Sequence, residues 1–201
     1  LGGAAQAGGD RSVSIGFIAS ASATGAIAIG GDGDDADDDT PTGPIGADAN
    51  SIGAIAIGRD TLASAERAVA IGESAQAAGN NTIALGRLAQ AAGPDAVAIG
   101  ASADAAGTNN IASGRRATAV KENALALGAD ARAGNGRATA VGYRADATGV
   151  QAIALGIAAN ASGIDATALG AGTVASGQSA IAIGGDGPVD AETANGASAS
   201  G

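Results

Sequence analysis

Side chains able to do chemistry are few in this sequence, and they gather in two places. Six aspartates, Asp32, Asp34, Asp35, Asp37, Asp38 and Asp39, crowd one short stretch. The other is a band of positive charge: apart from Arg11, every Lys and Arg lies between 59 and 144. Carboxylate oxygens suit a hard cation such as Ca2+. The aspartate spacing fits neither an EF-hand loop nor a Gly-Gly-x-Gly-x-Asp array, and a solvated, self-repelling acidic loop is the preferred reading. The arginines stand in columns. Arg59, Arg87 and Arg115 share one position of a repeat, and Arg116 and Arg144 share the next. Arg115, Arg116, Arg132, Tyr143 and Arg144 are the candidate ligand-binding residues, facing an acidic matrix protein or a glycan. Solubility and ion pairing between subunits are the plainer role for the same charges.

Missing residue types exclude much else. With no His and no Cys, thiolate and imidazole metal sites and the usual nucleophile–base pairs are ruled out. No Walker loop is present and no paired carboxylates stand out, so neither an enzyme nor a cofactor is expected. The net charge of −10 argues against nucleic acid as a partner, because phosphates must be met by a basic face. No apolar run approaches the ~20 residues of a membrane helix, so direct membrane contact is not expected. The sequence starts without Met or a signal peptide and reads as a piece of a longer chain.

The elements that position these residues come from a 14-residue period. Ala26-Ile27-Ala28-Ile29-Gly30 returns as Ala54-Ile55-Ala56-Ile57-Gly58, and closing glycines keep the same step through Gly72, Gly86 and Gly100 to Gly184. Counted from that glycine as position 0, alanine fills position 5 in all twelve regular repeats and position 12 in all but the first. Positions 3 and 10 are Ala, Ser or Thr, with Asn110 the exception; positions 11 and 13 are mostly Ile, Val or Leu. A second glycine recurs near mid-repeat, as at Gly79, Gly93 and Gly149. Alternation at period two means strands, and glycines at both turns would supply angles that a Cβ disfavours. Two strands of about four or five residues would fill each repeat.

The two halves of a repeat are related by a shift of half a period, which superimposes positions 3 and 5 on 10 and 12. All four are small, which predicts an interior lined by Ala, Ser and Thr. Ile, Leu and Val at positions 11 and 13 then point outward from one sheet. Reversing the faces would make the interior aliphatic, but that breaks the half-repeat symmetry. An apolar stripe that runs the length of a stack exceeds what a monomer leaves uncovered. Self-association along it is expected, in parallel copies around an axis. The predicted interface between copies is Ile27, Ile29, Ile55, Ile57, Val69, Ile71, Ile83, Leu85, Val97, Ile99, Leu125, Leu127, Ile153, Leu155, Ile181 and Ile183.

Asn81-Thr82-Ile83-Ala84-Leu85-Gly86, with the Ala-x-Ala-x-Gly half-coils, resembles the Asn-Ser-Val-Ala-Ile-Gly repeats of trimeric autotransporter adhesins with YadA-like heads. The resemblance spans Gly2 to Gly184. It implies an all-β, left-handed parallel β-roll (a solenoid) whose coils follow the 14-residue period, assembled as a parallel homotrimer. It also implies a place on the bacterial cell surface, beyond the outer membrane of a Gram-negative cell. Most coils depart from the motif at its leading Asn, having Asp95, Gln151 or Ser179 there.

On this reading residues 1–201 are one head: first coils over 1–30, an acidic insert over 31–43, regular coils over 44–184, and the start of a second insert over 185–201. The first insert is one period long, which fits a surface loop or a distorted coil. Phe17, just after a turn glycine, is expected to pack on its turn. The expected function is a non-enzymatic adhesin head that attaches a bacterium to host extracellular matrix protein or glycan, with itself as the other partner. The alternative is a spacer in the fibre with no ligand of its own. A hexapeptide acyltransferase would need turns built in units of six and a catalytic His, and an ice-binding solenoid would need a flat Thr array; neither is present.

Overall fold

The computed structural model describes residues 3–31, 46–185 and 197–200. The chain forms two compact units, Leu1–Ser102 and Ala103–Gly201, and each is a parallel β-solenoid built the same way. Each coil holds a two-residue strand, such as Gln76–Ala77, and a three-residue strand, such as Ile83–Leu85. Each strand pairs in parallel with its counterpart one coil away. In the first unit Ile83, Ala84 and Leu85 lie beside Val69, Ala70 and Ile71; in the second Leu125, Ala126 and Leu127 lie beside Thr139, Ala140 and Val141. Two separate ladders result in each unit, one of short strands and one of longer ones.

The strands are shorter than the four or five residues expected, because two four-residue turns occupy more than half of every coil. The position-3 amide donates to the position-0 carbonyl, as from Ala75 to Gly72 at 3.1 Å; the position-10 amide donates to position 7, as from Ala96 to Gly93 at 3.2 Å. The third residue of each turn has a left-handed backbone: φ is 53° at Ser74 and 57° at Asp95. A positive φ at that place is the mark of a type II turn, which also favours proline at the second residue. Pro94 stands there, immediately before Asp95. The left-handed residue also keeps the ladder going around the corner. The Ser74 amide donates to Arg59 O at 2.9 Å and the Asn81 amide to Glu66 O at 2.9 Å, both in the preceding coil. Turn backbone is thereby satisfied by stacking instead of by water.

Alanine makes the interior. Positions 3, 5, 10 and 12 are buried in nearly every described coil, and Ala77, Ala84, Ala126 and Ala133 have no exposed surface. The larger interior side chains each tie down a turn. Thr82 Oγ1 donates to Gly79 O at 2.6 Å and Thr173 Oγ1 to Gly170 O at 2.9 Å. Asn110 Nδ2 donates to Ala119 O at 2.7 Å, and its Oδ1 accepts the Ala124 amide at 2.9 Å. That amide would otherwise go to the carbonyl of its own turn, so the one amide in the alanine columns substitutes for a backbone acceptor.

The six aspartates of the acidic segment lie outside the described residues. The coils on either side of that segment stack directly on one another: Ser20 pairs with Asp48 and Ile27 with Ile55, so the ladder skips one whole period of sequence. The closing hydrogen bond of the turn survives the interruption, with Ala47 N donating to Gly30 O at 3.2 Å. A second interruption falls at the same corner. Val174 pairs with Ser198, again a longer step than the period, and the longer strand before the gap ends at Ile183.

Candidate functional site

In each unit the longer strands present an aliphatic face. Ile83 and Leu85 are 40% and 41% exposed, on either side of fully buried Ala84. The same alternation holds along Ile27–Ile29, Ile55–Ile57 and Val69–Ile71 in the first unit, and along Leu125–Leu127, Ile153–Leu155 and Ile181–Ile183 in the second. Parallel, in-register pairing stacks these side chains into two columns, positions 11 and 13. The outward direction follows from the interior: a lumen filled by alanine has no room for Ile. Ser113, Thr139 and Thr167 interrupt the columns in the second unit. The outer face of the short strands is different, carrying Gln76 and Gln90 in the first unit and Thr118, Arg132 and Asp146 in the second.

Of the five candidate ligand-binding residues, four share one edge of the second unit, at the corner that follows each position-0 glycine. Arg116 Nε donates to Asp130 Oδ1 at 2.5 Å and Arg115 Nη2 to Asp130 Oδ2 at 3.0 Å. The hydrogen bond from Arg116 holds the Asp130 carboxyl below its ordinary pKa, and the charges of Arg115, Arg116 and Arg144 act the same way. In return Asp130 pushes Arg116 up, with a smaller push from Tyr143. Tyr143 is 44% exposed. Arg132 stands apart from this cluster, on the face of the short strands, where Nη1 meets Asp146 Oδ1 at 3.4 Å.

Other charges pair along the stack. Arg59 reaches Glu73 one coil on, and Arg67, Asn81 and Asp95 form a ladder through Arg67 Nη1 to Asn81 Oδ1 at 3.3 Å and Asn81 Nδ2 to Asp95 Oδ1 at 3.1 Å. The Phe17 ring lies against the corresponding corner of the coil before it, where a Cβ on Gly3 would meet it at 3.0 Å. Among the described residues, no group of three or more acids could hold a metal ion. An open groove of about 480 Å3, bounded by Lys121, Glu122, Asn135 and Val150 over Gly107 and Gly136, lies at the mid-repeat corner of the second unit. Sequence reasoning did not anticipate it; its only signal is the run of small and large residues at positions 7 and 8.

The fold and its surfaces define a class: a parallel solenoid with an alanine interior and an uncovered aliphatic face. The YadA head domain repeat matches at residues 1–17, 7–32, 49–75, 63–89, 77–103, 121–145, 147–173 and 161–186. The chain belongs to that family of YadA-like adhesin heads. Among solved structures, the collagen-binding domain of the Yersinia adhesin YadA is similar, with 28% identity and a TM-score of 0.48 over 73% of each chain. No curated protein matches.

Proposed function

We propose that this chain is a non-enzymatic adhesin head on the surface of a Gram-negative bacterium, a left-handed roll assembled as a parallel homotrimer around its aliphatic face. The observation that carries the assembly is the uncovered pair of columns typified by Ile83 and Leu85. Leaving such a stripe in water is unfavourable at ~25 cal/mol per Å2, and parallel copies closed around an axis bury the same columns in every subunit. Adhesion follows from membership of the head-repeat family, with a host extracellular matrix protein or glycan as partner. Three copies would multiply weak contacts into useful avidity.

The alternative is a spacer in the fibre. The charge ladder Arg67–Asn81–Asp95 favours it, since those polar groups are already satisfied within the stack. Sedimentation of the chain, followed by binding to immobilised collagen, fibronectin, laminin and epithelial cells, separates the readings. A trimer with saturable binding supports the adhesin. A trimer that binds none of them supports the spacer, and a monodisperse monomer overturns the assembly.

A further inference from the structure

The corner that carries Arg115, Arg116, Tyr143 and Arg144 differs from other charged places on the molecule in how its charges are arranged. At the other ion pairs among the described residues, each acid receives one arginine. Here Asp130 receives a single donor from each of two guanidiniums, and a guanidinium has five N–H donors in a fixed fork. Both arginines remain more than half exposed, at 54% and 61%, while Asp130 is only 17% exposed. The carboxylate thus lies beneath and locks two forks whose remaining donors face water. Arg144 occupies the coil beyond Asp130 and makes no ion pair among the described residues. Three guanidiniums against one carboxylate leave a local excess of two positive charges on a chain whose net charge is −10.

Shape supports the same reading. Arg115, Ala129 and Tyr143 hold position 1 in three successive coils, and the Arg115 guanidinium, reaching Asp130 in the coil of Ala129, comes within one coil, about 4.8 Å of backbone spacing, of Tyr143. This row of paired arginines, Ala129 and the exposed Tyr143 ring forms the seat.

We infer that this seat binds a sugar carrying one anionic group, with the carboxylate or sulfate on the Arg115–Arg116 forks and the sugar ring against Tyr143. Planar, bidentate donors suit either anion. The two forks converge on Asp130 alone, a site sized for one anionic group, and the band of positive charge between 59 and 144 makes a long polyanion the competitor to separate from it. The inference rests on the adhesive reading and narrows it to a ligand class and a place.

The test uses the whole chain and saturation-transfer NMR with four probes: 3′-sialyllactose, 3′-sulfolactose, lactose and heparin. Binding of a mono-anionic sugar at least about tenfold tighter than lactose is expected, the scale of one charge-assisted contact. The arm that binds better identifies the anion. R115Q/R116Q should lose that preference, Y143A should weaken both sugars, and Y143F should stay within about twofold because the ring remains. Arg87→Gln, outside the seat, should change nothing. Equal binding of lactose, no binding of either anionic sugar, or a preference for heparin that R87Q also weakens would each overturn the inference. Melting curves of each variant check the fold. If cells or matrix proteins bind the chain but the anionic sugars do not, the ligand assignment fails while the adhesin stands; if nothing binds, the adhesive reading fails with it.

Discussion

A Cβ placed on Gly149 would lie 1.8 Å from the carbonyl oxygen of Gly163 in the next coil. The mid-repeat glycine is therefore there for space. Its φ is not in the left-handed region, unlike that of the position-0 glycines, such as Gly142 at 136°. Gly149→Ala is expected to destabilise the second unit by about 1–3 kcal/mol, the usual cost of overpacking. At Gly136 the nearest atom to an added Cβ is 3.9 Å away, so Gly136→Ala should be neutral or stabilise by about 0.4–1 kcal/mol through the unfolded chain. Opposite shifts in urea midpoint for these two substitutions would confirm the distinction; equal losses would refute it.

The left-handed turn residues make a second prediction. Leu88 has φ 59° in a type II corner and is 40% exposed. That conformation costs an L residue roughly 1–2 kcal/mol, and Asn tolerates that region better than Leu. Leu88→Asn should raise the melting temperature, and Asn81→Val at the matching place of the mid-repeat corner, φ 57°, should lower it. Thermal melts followed by circular dichroism would decide, and a lower melting temperature for Leu88→Asn would refute the turn argument.

The interior was legible in the sequence because its constraint repeats without exception. Alanine at position 5 in every coil can only mean a column with no spare volume, and Ala77 and Ala133 are fully buried. The turns were less legible. Gly79 and Gly93 draw attention as the flexible residues of their corners, yet the left-handed residues are Asn81 and Asp95, two places on. Asn and Asp recur at that position, and Pro94 before Asp95 spelled the turn type. This also accounts for the leading Asn of the resembling motif: it serves a backbone angle, so Asp95 and Gln151 replace it without loss of the corner. The arginine seat was legible only as a column of charge, since nothing in the spacing says that Asp130 lies beneath both Arg115 and Arg116.

Asp48 gives a pH dependence with a definite sign. Burial raises its pKa above 3.8, only partly offset by a hydrogen bond from Asn50, and its Oδ1 is buried without a partner. A carboxyl whose folded pKa lies above its unfolded one stabilises the fold when protonated. That contribution is present below the unfolded pKa and is lost as pH rises through the folded value. Asp48→Asn should therefore raise the melting temperature at pH 7 and make little difference at pH 3. A variant no more stable than the native chain at pH 7 would mean that water satisfies the carboxylate.

The aliphatic face offers the sharpest test of assembly, because it can be altered independently of the interior. Ile83 and Leu85 point away from the alanine lumen, so charging them leaves the coil's own packing intact. Each would forfeit about 1.5–3 kcal/mol of burial per subunit if copies cover the stripe, and lysines on neighbouring subunits would repel one another. Ile83→Lys with Leu85→Lys should therefore bring the mass by sedimentation from about three times 18.4 kDa toward that of a single chain, with the β spectrum retained below the melting point. Lysines at Gln76 and Gln90, on the polar face of the same unit, carry the same added charge and should leave the assembly unchanged. If both pairs behave alike, charge alone sets the oligomeric state and the stripe is not its cause.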